Sequence, residues 1–298
     1  AASDVYKRQP EMIDVQPSTF LLQWATGGLL FLWVSNKTRL IGLGFGWTTR
    51  ITYLVIAGIG LVVGVKGDTL WLREISNIGL LMATSFALLV SIARRKAGVK
   101  GQRELQRSRA DRVSAMLGDR GQIKVSNTVT TKEFPPVLDL IAPVIGTFGL
   151  VVGAVDAAGS IWLSVARTLV GAAFLGAVSN SMLLGHWYLV QPGLSRDPIF
   201  TLVNWTGLLW LPELVLLCIP TGMFSVLNGN IDDNYNGLLG WFWVACVVAT
   251  ICLVIVTRMA LKEKEYSAVM AATGLMYLAI LTAFGMDLVA CLLYTSPS

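Results

Sequence analysis

This chain of 298 residues is poor in charge and in the side chains that do chemistry. Asp, Glu, Lys and Arg together make up 14% of it, and there is one histidine, His186. A single histidine excludes a bis-histidine haem and histidine-rich metal sites within the chain. Four cysteines are present, and Cys218, Cys246 and Cys252 fall inside apolar runs. Their spacing fits neither a disulfide framework nor a metal site, so they read as small apolar membrane residues. No nucleophile–base constellation is visible: the serines nearest His186 are Ser179 and Ser181, on the same expected helix. Aspartyl chemistry inside a membrane needs two facing aspartates in mid-span, and Asp139, Asp156 and Asp287 all fall near expected span ends. An enzyme is therefore not the expected reading.

Apolar sequence is what the chain has in excess. Hydrophobic residues form 54% of it and the mean hydropathy is +0.65, values that point to a membrane protein. Runs long enough to cross about 30 Å of hydrocarbon recur near 18–35, 47–65, 75–93, 137–156, 160–184, 198–226, 237–257 and 267–287. The expected fold is an all-α polytopic integral membrane helix bundle of about eight transmembrane helices, forming a single membrane domain over residues 10–290.

The two ends stand apart from this pattern. DVYKRQ at 4–9 and CLLYTS at 291–296 are encodable by DNA strands that are reverse complements of each other, shifted by one base. That DNA resembles a transposase-type sequencing adapter read from both sides. Residues 1–9 and 291–298 are therefore expected to be adapter-derived and are set aside from the fold reading.

The loops alternate in charge. Residues 94–133 hold eleven Lys/Arg against four Asp/Glu, and Lys37, Arg39, Arg50, Arg196, Arg258, Lys262 and Lys264 join them on one side. Lys66 and Arg73 are the basic residues of the other side. The positive-inside rule makes the basic side, with loop 94–136, cytoplasmic. Both visible ends then lie outside, and the compact loops suggest a bacterial cytoplasmic membrane. The loop opens with GQRELQRSRADRVSAMLGDRG, which predicts a charged helix, and continues with QIKVSNTVTTKEFPP, a hairpin or coil. Its expected partners are the bilayer and anionic headgroups; no nucleic-acid-binding pattern is present, and partner subunits are compatible with it.

Small residues mark where helices meet. Ala173, Ala177, Ser181 and Gly185 recur every four residues, with Ala172, Gly176 and Asn180 in a parallel row, so the fifth span is expected to be central. Gly60 with Gly64 and Gly149 with Gly153 offer similar surfaces. The run GLGFGW beginning at Gly42 superficially resembles a phosphate-binding glycine loop, but no strand precedes it, and that reading is rejected. Trp24, Trp33, Trp47, Trp71, Trp162, Trp187 and Trp241 fall near span ends, as an aromatic belt would.

Ionisable residues inside apolar runs are costly and stand as functional candidates. Glu213 lies in TGLLWLPELVLLCIPTG, between Pro212 and Pro220. The prolines free the carbonyls of Leu208 and Leu216, and Thr206 shares the face of Glu213. A kinked helix of this kind suits a cation or proton. Arg167, about seven residues into its span, either snorkels to the interface or pairs with Glu213. His186 is read as an interfacial anchor with Trp187 and Tyr188, or as a site for haem or quinone. Three functions stay open: a carrier or channel for a small solute or proton centred on Glu213, Thr206 and Arg167; a membrane subunit of an electron-transfer or assembly complex using His186; and a non-catalytic anchor or scaffold. No metal site is expected, and no cofactor is implied.

Overall fold

The computed structural model describes residues 16–67, 69–117, 133–157, 160–191, 193–219, 222–229 and 235–295. Residues 4–9 and most of 118–136, including the second half of the basic loop, lie outside the described residues. Among the described residues ten α-helices run in chain order: α1 Pro17–Lys37, α2 Leu43–Lys66, α3 Trp71–Ala93, α4 Lys100–Leu117, α5 Leu138–Asp156, α6 Ile161–Val190, α7 Asp197–Cys218, α8 Gly222–Leu227, α9 Leu238–Ala260 and α10 Tyr266–Thr295. Among the described residues there is no strand.

Seven of these helices, α2, α3, α5, α6, α7, α9 and α10, are long and apolar enough to cross a membrane. The protein is a multi-pass all-α membrane bundle. The remaining long helix, α1, has 21 residues, enough for about 31 Å at 1.5 Å per residue. It is less apolar because its polar residues face other helices. Ser18, Thr19, Gln23, Thr26 and Ser35 are all buried, and α1 packs against α2, α5 and α6. A helix enclosed by protein does not need a lipid-compatible surface, which is why hydropathy separates it from the other seven.

The bundle has two halves. α1, α2, α3 and α5 form one; α6, α7, α9 and α10 form the other. They join along α1 and α6, whose backbones come close at two glycines. A Cβ on Gly27 would lie 1.6 Å from the Ala172 carbonyl oxygen, and one on Gly176 would lie 2.2 Å from the Gly27 carbonyl carbon. The α1–α6 contact therefore uses the Ala172–Gly176–Asn180 row. Within the neighbouring row Ala177 and Ser181 are also buried, Gly185 meets Thr273 of α10, and Ala173 is only partly buried. Close approach lets Asn180 Nδ2 donate to the Gly28 carbonyl at 2.8 Å and to the Tyr53 hydroxyl at 3.0 Å. Tyr53 in turn bonds Ser179 Oγ at 2.8 Å, so three helices share one polar knot at the centre.

Two buried ion pairs hold the first half together. Arg50 Nε and Nη2 reach Asp139 at 2.6–2.8 Å, and Asn36 Nδ2 adds a third donor at 3.0 Å. Arg50 is thus inside α2 and paired, rather than a free cation of a flanking loop. Arg73 bonds its neighbour Glu74 at 2.6 Å and Thr19 Oγ1 at 3.0 Å. Gly64 makes room for this pair, since a Cβ there would lie 2.1 Å from Glu74 Oε1. In a dry interior such pairs are costly to form but more costly to break.

Several boundaries differ from the sequence reading. α6 continues to Val190, beyond the expected 184. The span expected over 198–226 stops at Cys218, and α8 is a separate short helix. The physical reason lies in CIP: the residue before a proline is disfavoured in the helical region, and Ile219 is extended at φ −98°, ψ 145°. α4 forms where the charged helix was expected and is tied to the bundle, Gly101 N donating to the Arg39 carbonyl at 3.1 Å. Trp71, Trp162 and Trp241 are exposed in the first turns of α3, α6 and α9, at one end of the bundle.

Candidate functional site

The end of α7 shapes the site. Pro220 has no N–H to give the Leu216 carbonyl, and the turn away from helix at Ile219 leaves a second carbonyl open. Arg167 of α6 fills both positions. Its Nε donates to the Leu216 carbonyl at 2.7 Å, and its Nη2 donates to the Ile219 carbonyl. A cation at a helix C-terminus is also favoured by the helix dipole. Arg167 is buried, so it does not snorkel; it closes the end of the neighbouring helix.

Glu213 lies on α7, about one and a half turns before that end, and is buried. α7 continues through Pro212. Facing Glu213 is Asp287 of α10, also buried. The two carboxyl groups lie close enough to interact, and Arg167 lies within electrostatic reach of Glu213. Glu213 Oε2, Asp287 Oδ1 and Asp287 Oδ2 receive no hydrogen bond from a described donor. The space comes from Gly171: a Cβ there would lie 2.3 Å from Gln23 Nε2 and 3.5 Å from Glu213 Oε1. Gln23 of α1 thus reaches the same point. Next to it, Trp24 stacks edge-on against Phe284 with centroids 4.4 Å apart, one turn before Asp287, and its buried Nε1 has no described partner.

Four helices therefore bring Gln23, Trp24, Arg167, Gly171, Glu213 and Asp287 to one place. Both carboxyl groups are hydrogen-bond acceptors when ionised, so contact between them requires a proton on one. Two bare carboxylates in contact in a dry interior repel strongly. With one shared proton and Arg167 positive, the cluster carries no net charge, the least costly state in low dielectric.

The remaining candidates lie elsewhere. Thr206 is two turns from Glu213, donates to the Leu202 carbonyl at 3.0 Å and lies 3.4 Å from Ser181 Oγ. It belongs to the α6–α7 contact rather than to the carboxyl cluster. His186 is on the exposed face of α6, with Nδ1 3.1 Å from the Tyr277 hydroxyl, near the opposite end of the bundle. It faces outward and lies apart from the carboxyl cluster.

Asp287 escaped the sequence reading, which placed it at the end of a span; α10 carries on past it, and it is enclosed. The signal was the spacing of Met276, Ile280, Ala283 and Asp287, three to four apart and all inward-facing. Gln23 was a second missed signal, a polar side chain in an apolar run. Comparison with protein families, with curated proteins and with solved structures finds no match for this chain.

Proposed function

We propose that this protein is a carrier-like membrane protein that moves a proton, alone or with a small solute, using the Glu213–Asp287 pair. One observation carries the reading: two carboxyl groups from different helices meet inside the bundle, with three of their oxygens lacking donors. A group of this kind gains or loses one proton at a single place, and each change alters the net charge by one. Carboxylates placed inside the membrane serve proton relays in this way.

Arg167 sets the balance. Its bonds to the end of α7 hold a positive charge beside the pair, so the singly protonated state is neutral. Loss of the proton leaves one negative charge, which a cation or a second proton from the other side can offset. α7 ends at Cys218 beside this group, and carriers use interrupted helices at their binding sites. The basic end of the bundle is assigned to the cytoplasm by its charge, and the carboxyl pair lies nearer the opposite end.

The test is proton flux in vesicles. The protein is reconstituted with a pH-sensitive dye trapped inside, and a potassium gradient with valinomycin supplies the driving voltage. Dye response above that of empty vesicles, lost in both Glu213→Gln and Asp287→Asn but kept in His186→Ala, is the expected result. Flux unchanged in the two carboxyl variants would refute the proposal.

A further inference from the structure

A second site lies at the opposite, basic end of the bundle. The end of α1, the start of α2, the turn after α3 and the segment leading into α5 border a small open cleft. Arg50, Gly42, Leu43, Gly46, Arg39 and Phe134 line it, together with Glu133. The cleft contains the glycine run rejected above as a nucleotide loop. In the structure GLGFGW is no loop; it is the first turn of α2.

Two independent features there point to an anion. The first is the start of α2, a helix of 24 residues whose first turn has no side-chain cap. Uncapped N–H groups and the helix dipole favour negative charge at such an end. The second is Arg50 itself. Its Nε and Nη2 are taken by Asp139, and its ring-facing side lies 4.8 Å from the Phe134 centroid. Its Nη1, however, has no partner among the described residues, although Arg50 is only 1% exposed. That nitrogen lies 2.9 Å from where a Cβ on Gly46 would sit, so it points toward the first turn of α2. A buried guanidinium N–H left open costs stability unless a ligand takes it.

The charges around the cleft agree. Arg39 and Arg103 both engage the Glu133 carboxylate, and Arg94 Nη1 donates to the Glu133 carbonyl at 3.0 Å. Glu133 and Asp139 are thus outnumbered by Arg39, Arg50, Arg94 and Arg103. Arg39 keeps a left-handed backbone at φ +53°, with its carbonyl held by Gly101 N.

We infer that this cleft binds a phosphate-type oxyanion, held by Arg50 Nη1 and the N–H groups of Leu43 and Gly44 at the start of α2. A guanidinium donor with a helix N-terminus is a general arrangement for phosphate recognition. The phosphate has two sources: a phospholipid headgroup at the cytoplasmic interface, or a soluble phosphate species.

The experiment uses the full chain, delipidated in mild detergent. Thermal unfolding is followed by tryptophan fluorescence while inorganic phosphate, and separately a short-chain phosphatidylglycerol, is titrated in. Gly46→Ala is the informative variant, because its Cβ enters the space before Arg50 Nη1, 2.9 Å from that nitrogen, while every charge is kept. Lys262→Ala removes a charge from the same end of the bundle but not from the cleft. Saturable stabilisation is expected, weakened about tenfold or more in Gly46→Ala and unchanged in Lys262→Ala. A response to inorganic phosphate assigns a soluble ligand; a response to the lipid alone assigns a headgroup. Absence of saturable stabilisation by either, or equal weakening in Gly46→Ala and Lys262→Ala, overturns the inference.

Discussion

Alanine at Gly27 offers a sharp test of how the two halves of the bundle are joined. Its Cβ would lie 1.6 Å from the Ala172 carbonyl oxygen and 2.5 Å from its carbon. Ordinary contact is about 3.5 Å, so α1 and α6 must separate locally by about 2 Å. The obstacle is backbone, and no rotamer change relieves it. Overpacking in cores costs about 1–3 kcal/mol, and the upper end applies here because the displaced helix also strains the Asn180 bond to the Gly28 carbonyl. A loss of about 3 kcal/mol is roughly a hundredfold in the folding equilibrium. Gly58 and Gly274 supply the control, since a Cβ at either meets nothing within 4 Å. Gly58→Ala and Gly274→Ala should be neutral or gain up to about 1 kcal/mol from helix propensity. Unfolding in mixed detergent micelles, followed by circular dichroism, reads all three. Equal behaviour of Gly27→Ala and Gly58→Ala would refute the close α1–α6 contact.

Other consequences follow from single side chains. Arg50→Met should cost about 3–5 kcal/mol by stranding Asp139, and Arg50→Met with Asp139→Leu should recover most of it; the same unfolding assay reads both. Tyr53→Phe removes an acceptor from Asn180 and a partner from Ser179, and should cost about 1 kcal/mol. Arg167→Gln frees the Leu216 and Ile219 carbonyls; hydrogen exchange across 213–219 should quicken while that of α2 stays unchanged. His186→Ala, on an exposed face, should alter stability by less than about 0.5 kcal/mol.

Length and hydropathy were enough to read the helical membrane class, because spanning helices need about 20 apolar residues and the periodic small residues of α6 mark close approach. Pro212 and Pro220 were legible as perturbations of α7, though only the structure shows that the helix passes the first and stops before the second. Pro212 sits where its neighbours keep the helix intact; Pro220 follows a residue forced out of helix. Arg167 was read as snorkelling or as pairing with Glu213; its bonds to the end of α7 were not foreseen, since no sequence pattern tells which carbonyls a neighbouring helix leaves open. Asp287 shows the limit most clearly. A carboxylate at the end of an apolar run looks interfacial until the packing of four helices encloses it. Buried cation–carboxylate pairs such as Arg50–Asp139 join residues 89 apart in the chain, and nothing local announces them.

The central claim is that Glu213 and Asp287 share one exchangeable proton. Infrared difference spectroscopy of the carboxyl stretch, comparing the protein with its Asp287→Asn variant at neutral pH in light and heavy water, tests it most directly. The account predicts a band from one protonated, buried carboxyl group that shifts on deuteration and is altered or lost in the variant. No such band in the protein, or the same band in protein and variant, would contradict it.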